Sequence, residues 1–301
     1  MRTPAVPAFW MIRSNIVNRV VDIVGDSWML RIVGRLLEKP CRFDELVASL
    51  GIARSTLSNR LQHLVTHDVV VKDDTDAPRP ALRAYSLTTR GRDLLPLLRQ
   101  MQAWNSRWGR DGGALKGVIV LNPCGHDADV LLRCAHCHAA AEARSVKVMQ
   151  TCSQPPQVPL TPWRRARVAE PSTNGQDLPA ESLMGDRWMG LILAAAFFRA
   201  EKYSDIEQAL GIAPHLLAVR LRRLVQQGLL ERSRYSPHAE RHAYRLTECG
   251  RSYYSAIVAA WAWGRRWLDP NDNPGWRLLH LPCATWLKPA FACAACETRL
   301  L

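Results

Sequence analysis

The sequence predicts a mainly α protein with small β-hairpin wings (an α+β class): two tandem winged helix-turn-helix domains, each followed by a small cysteine-rich ribbon. Three observations carry this reading. The chain is internally duplicated, each copy reads helix, glycine turn, helix and hairpin, and each copy ends in the same cysteine triad.

The duplication comes first because it fixes the organisation. Gly25-Asp26-Ser27-Trp28 recurs as Gly185-Asp186-Arg187-Trp188, and Leu50-Gly51-Ile52-Ala53 as Leu210-Gly211-Ile212-Ala213, an offset of 160. After a one-residue deletion the offset is 159: Tyr85-Ser86-Leu87-Thr88 matches Tyr244-Arg245-Leu246-Thr247, and Trp104 and Trp108 match Trp263 and Trp267. Domains are expected at 11–110 and 181–268, with ribbons at 115–149 and 276–301. Residues 150–180, rich in Pro, Ser, Thr, Asn and Gln, read as a linker, in which Arg164, Arg165 and Arg167 form a basic loop.

Within the first module, apolar residues recur at helical spacing from Ile12 to Val24. Asp26 can cap a second helix through Leu37, and Pro40 follows its end. A short helix over Phe43–Leu50, the turn at Gly51 and a fourth helix from Arg54 to about His67 complete a helix-turn-helix. Val69–Val71 and Tyr85–Leu87 read as the strands of a wing, followed by a closing helix to about Trp108. The tryptophans of the closing helices fall at helical spacing, as core or interface residues do.

Forty Lys and Arg against 27 Asp and Glu give a net charge of +13, which suits a polyanionic partner. The fold selects double-stranded DNA. The solvent face of the first module's fourth helix offers Arg54, Ser55, Thr56, Ser58, Asn59 and Arg60, followed by Arg79 and Arg83 in the wing. Asn suits adenine, Arg suits guanine or phosphate, and hydroxyls suit backbone oxygens. The second module differs: His215, Leu216, Ala218, Val219 and Arg220 line the equivalent face, with Arg222 and Arg223 beyond and Arg232, Arg234 and Arg241 in its wing. It is expected to hold phosphate and to read less sequence. Apolar Leu216 and Val219 also leave open a protein-interaction adaptor built on degenerate helix-turn-helix folds.

No apolar run reaches the ~18 residues of a spanning helix, and Met1–Trp10, with Pro4 and Pro7, lacks a signal-peptide core. No membrane partner is therefore expected, and the protein is expected in the cytoplasm, where thiols stay reduced. Each copy carries Cys-x9-Cys-x2-Cys: Cys124, Cys134 and Cys137, then Cys283, Cys293 and Cys296. That spacing suits a structural zinc ribbon in each copy. His280 supplies the fourth ligand of the second; Leu121 stands at the matching position of the first, so His126 is favoured there. A thiol switch is the alternative use of these cysteines. The chain carries no P-loop, dinucleotide turn, serine-nucleophile or zinc-protease motif, so no enzyme is expected.

Each module resembles the winged-helix domain of HxlR-type bacterial regulators, relatives of the MarR group. The resemblance rests on Gly25 to Trp28, Arg42-Phe43-Asp44-Glu45-Leu46, Leu57-Ser58-Asn59-Arg60-Leu61, Tyr85 to Thr88 and Arg90-Gly91, covering 20–110 and, more loosely, 180–268. It implies transcription regulation by a dimer built through terminal helices on near-palindromic promoter DNA. Fusion of two modules then suggests an internal pseudo-dimer, with a homo-oligomer as the other arrangement.

Overall fold

The computed structural model describes residues 16–73, 84–108, 120–127, 129–150, 187–235, 242–269 and 276–300. The first module comprises α1 (Ile16–Val24), α2 (Ser27–Glu38), β1 (Cys41–Arg42), α3 (Phe43–Leu50), α4 (Arg54–Thr66), β2 (Val70–Lys72), β3 (Ala84–Leu87), α5 (Thr89–Arg92) and α6 (Leu95–Trp108). Strands β4 (Val130–Cys134) and β5 (Val146–Gln150) follow. The second module repeats the plan as α7 (Arg187–Phe197), α8 (Tyr203–Leu210), α9 (Pro214–Gln226), β6 (Leu230–Arg234), β7 (His242–Leu246), α10 (Glu248–Ser252) and α11 (Tyr254–Leu268). It ends in β8 (Trp276–His280), β9 (Thr285–Trp286) and β10 (Pro289–Cys293).

The repeated motifs are the joints of each module. Asp26 accepts hydrogen bonds from the amides of Trp28 and Met29 and so starts α2. Gly51 and Gly211 turn the chain between the two helices at φ of 63° and 60°, the left-handed region. Leu57, Leu61 and Leu64 bury one face of α4, and Leu217, Leu221 and Leu224 the matching face of α9. Thr88 and Thr247 cap the helix after each wing, each hydroxyl accepting from the amide three residues on, at 3.0 and 3.1 Å. Those amides belong to Gly91 and Gly250, where a Cβ would lie 2.1 Å from the carbonyl oxygens of Val69 and Leu229. Only glycine allows so close an approach of helix to strand.

The modules share one hydrophobic core. Helix α11 packs on α1 and α6 of the other module, and a Cβ at Gly264 would lie 2.7 Å from Ile16 and 2.8 Å from Val20 side-chain carbons. The tryptophans are interface residues. Trp263 donates its indole N–H to the Arg90 carbonyl at 2.8 Å, and its counterpart Trp104 donates to the Cys249 carbonyl at 3.2 Å. Positions 90 and 249 are themselves related by the offset, so each module grips the same point of the other, as a two-fold interface requires. The symmetry is imperfect. Trp267 and Arg266 both reach Asp93, at 2.9 and 3.0 Å, whereas Ser252 stands at the equivalent of Asp93 and the Trp108 indole N–H has no acceptor among the described residues.

The cysteine-rich segments cross over as well. Strand β4 pairs antiparallel with β10, centred on Leu132 opposite Phe291, two residues related by the offset of 159. Strand β5 pairs with β8, which continues to β9. The expected ribbons of separate copies are corrected: β4–β10 and β5–β8 each take one strand from each copy, and in β4–β10 a strand packs its alternating apolar residues against its own counterpart.

Gly91→Ala is expected to lower unfolding free energy by about 1–3 kcal/mol, since the added methyl meets backbone that cannot yield. Denaturant titration should show a lowered midpoint at unchanged slope; a wild-type midpoint would contradict the close approach.

Candidate nucleic-acid interface and metal centres

On α4, Arg54, Ser55, Ser58 and Asn59 are exposed, and Thr56 is half-buried. Arg54 lies over the Phe43 ring at 5.0 Å and pairs with Asp44 at 2.7 Å, both partners exposed, so a phosphate can displace the carboxylate at little cost. Arg60 is placed differently from the expectation. Half-buried, it donates to the Asp26 carboxylate at 2.8 Å and ties α4 to the cap of α2. Its counterpart Arg220 is 4% exposed, which corrects its assignment to DNA: a guanidinium inside the module has no surface to offer phosphate. The signal in the sequence is that Arg60 recurs as Arg220, an arginine shared by both copies where the neighbouring residues of that helix face differ.

The rest of α9 presents His215, Ala218, Val219 and Arg222 to solvent, with Leu216 and Arg223 half-buried. Arg232 and Arg234 are exposed on β6, and Arg232 meets His242 Nδ1 at 3.0 Å. Arg79, Arg83 and Arg241, like the linker arginines, lie outside the described residues.

The eight expected metal ligands gather into two four-residue clusters, each with its ligand atoms within 4.8 Å of one another. Their grouping overturns the copy-by-copy expectation. Cys124 and His126 join Cys293 and Cys296; Cys134 and Cys137 join His280 and Cys283. Each cluster thus takes the first cysteine and the histidine of one copy and the Cys-x2-Cys knuckle of the other. The clusters sit at opposite ends of the β4–β10 pair, where Cys134 and Cys293 close the strands.

Local backbone geometry explains why the same residues can ligate twice. In each knuckle the cysteine four residues before the turn accepts from the amide of His138 or Glu297, at 2.8 and 2.9 Å, and both of those residues are left-handed. The Ala135 and Ala294 amides donate to Lys288 and Asp129 of the opposite copy, both at 2.8 Å. The opposing turns match too: the amides of Gly125 and Ala284 return to Asn122 and Leu281. A further residue absent from the sequence reading is Arg99 of α6, 3% exposed, which holds the Cys124 loop through the Val120 carbonyl, Asn122 at 3.0 Å and Asp127 at 3.1 Å.

The donor sets fit a thiophilic divalent ion. A tetrahedron with metal–sulfur bonds of about 2.3 Å places its sulfurs about 3.8 Å apart; Cys134 and Cys283 sulfurs are 4.0 Å apart, and His280 Nδ1 is 3.2 Å from Cys283 and 3.4 Å from Cys137. His280 Nε2 lies 3.3 Å from the Ala140 carbonyl, which takes its proton and leaves Nδ1 to ligate. Hydrogen bonding from the Thr285 hydroxyl, 3.1 Å away, brings the Cys283 thiol down to about 6, and Thr298 does the same for Cys296. Four protein donors would leave no open position on a bound ion, the arrangement of structural rather than catalytic sites.

This architecture defines a tandem helix-turn-helix protein of the regulator class. The chain belongs to the HxlR-like helix-turn-helix family, which matches residues 23–112 and 183–272. It is similar to Rv3095 of Mycobacterium tuberculosis, an uncharacterized HTH-type transcriptional regulator, at 41% identity over 117 residues, 39% of this chain and 74% of that one. It is also similar to the HTH-type transcriptional regulator YodB of Bacillus subtilis, at 30% identity over 95 residues, 31% of this chain and 85% of that one. The crystal structure of PA1607, a candidate transcription factor, shares 32% identity over 31% of this chain and 67% of that one, with a TM-score of 0.29. The family is one of regulators rather than enzymes. Among the described residues no helix is long and apolar enough to cross a membrane.

Paired substitutions test the grouping. Cys124→Ala with Cys293→Ala damages a single cluster and is expected to leave the other loaded. Cys283→Ala with Cys293→Ala damages both, so metal per chain should fall to nearly none; retention of a full site would restore the copy-by-copy arrangement.

Proposed function

We propose that the chain is a sequence-specific transcription regulator that binds promoter DNA as one intramolecular pseudo-dimer, with zinc in both cross-module clusters. The observation that carries this reading is the reciprocal seam, in which Trp104 and Trp263 grip equivalent points of opposite modules. A dimeric helix-turn-helix protein reads two half-sites about 34 Å apart because its interface fixes the separation of its recognition helices. Here the seam does so within one chain. The two Cys3His sets favour zinc because soft thiolates with one imidazole in a closed tetrahedron suit that ion best. The reducing cytoplasm, the expected location, keeps such thiolates available.

The two helices differ in what they present, and the recognised site should differ accordingly. Under α4, Asn59 reads bases, with Ser55, Thr56 and Ser58 placing the helix on the backbone and Arg54 taking phosphate. Under α9, His215 and Arg222 with half-buried Arg223 meet the backbone, while Val219 can pack on a thymine methyl. Arg232 and Arg234 add phosphate contacts along β6.

Selection of bound fragments from random duplex DNA tests the reading. One chain is expected on an asymmetric site with one sharply defined half. Two chains on a perfect palindrome would overturn the pseudo-dimer. Asn59→Ala should remove about 1–3 kcal/mol of discrimination in the defined half. Arg232→Ala with Arg234→Ala should instead flatten the logarithmic salt slope by about 0.9 for each phosphate released and leave the preferred sequence unchanged; a shifted preference would mean that β6 reads bases.

A further inference from the structure

The two metal clusters are related by the duplication, yet their surroundings are not alike. In the cluster of Cys134, Cys137, His280 and Cys283, two ligands are buried and none is exposed; in the cluster of Cys124, His126, Cys293 and Cys296, one is buried and two are exposed. The histidines differ most. His280 is fully buried with its second nitrogen on the Ala140 carbonyl, whereas His126 is exposed and its second nitrogen has no partner among the described residues. They also approach from opposite sides of equivalent turns: His280 precedes its cysteine by three residues, and His126 follows by two. Thr285, at the position equivalent to His126, instead donates to the Cys283 sulfur, and Leu121, at the position equivalent to His280, is exposed.

Outer partners that orient a ligating histidine change metal affinity by about 10–100-fold when lost. The inner cluster has such a partner and a cover of β5, β8 and β9; the outer cluster opens to solvent. What the outer cluster has instead is a link inward. Arg99 grips the Cys124 loop from α6, the helix that forms the seam with α11, whereas Val258 at the equivalent position in the second module has no side-chain donor with which to make the matching grip.

From this asymmetry we infer that the outer cluster is an exchangeable sensing site for a thiophilic divalent cation, while the inner cluster keeps its ion as a permanent staple. The inference rests on the proposed zinc occupancy. Loading the outer site joins Cys124 and His126 to Cys293 and Cys296 and, through Arg99, sets α6 against α11 and hence the separation of the two recognition helices. DNA affinity therefore follows outer-site occupancy.

The test uses the full-length, zinc-loaded chain and the duplex selected as above. Zinc per chain and DNA affinity are followed together against a graded chelator. Zinc should leave in two steps about 10–100-fold apart in chelator strength, with DNA affinity falling at the first step and returning when zinc is restored. His126→Ala should lack the first step and show the weakened DNA binding throughout, while the inner ion stays bound. Release of both ions together, or a first step that leaves DNA affinity unchanged, overturns the sensing site but leaves the zinc reading standing. A reduced chain that binds no zinc when incubated with it overturns both.

Discussion

Everything distinctive about this chain depends on two modules holding each other at equivalent points. An indole N–H on each closing helix finds a backbone carbonyl at the start of the other module's closing segment. Each such bond contributes only about 1 kcal/mol, so the seam gains its strength from what lies around it. Gly264 lets α11 settle against Ile16 and Val20, and the shared core runs through the contact. With zinc in both clusters, each ion adds on the order of 10 kcal/mol of folding free energy, far above any single hydrogen bond. The seam sets geometry; zinc bound in the clusters would lock it.

Duplication followed by divergence explains the rest. A symmetric dimer is obliged to present identical helices to DNA, and fusion removes that obligation. The first module carries Ser55, Ser58 and Asn59 on its exposed face, where the second carries His215, Ala218 and Val219. The same freedom shows in the cysteine–histidine clusters, where the histidine stands on opposite sides of equivalent turns. It shows again at Asp93, which accepts from Trp267 and Arg266, while Ser252 occupies the matching place.

Much of the fold was legible because its elements are local. Helix periodicity, Asp26 as a cap and Gly51 as a turn located the helices to within a few residues, and α3 spans Phe43–Leu50 as read from the sequence. The eight residues that gather into the two clusters were legible from cysteine spacing and nearby histidines. Their partition was not, because a Cys-x9-Cys-x2-Cys segment closes a tetrahedron equally well within a copy or across two. The alternating Val130, Leu132 and Cys134, matched by Phe291 and Cys293, was the available hint of strands that pair with each other. Arg220 is hidden for a related reason: a basic residue on a helix face looks solvent-facing, and only its recurrence in both copies, where neighbouring face residues differ, marks it as structural. The Arg99 grip, spanning more than 20 residues to Asn122 and Asp127, follows from tertiary placement alone.

An intramolecular pseudo-dimer of this kind is one body whose integrity does not depend on the segment between its modules. An engineered protease site within residues 155–175 allows that segment to be cut in the folded, metal-loaded protein. The two fragments should then remain together as an equimolar complex on gel filtration at micromolar concentration and retain specific DNA binding. Fragments that separate in metal-replete buffer, or that bind DNA independently as well as the intact chain does, would contradict the account.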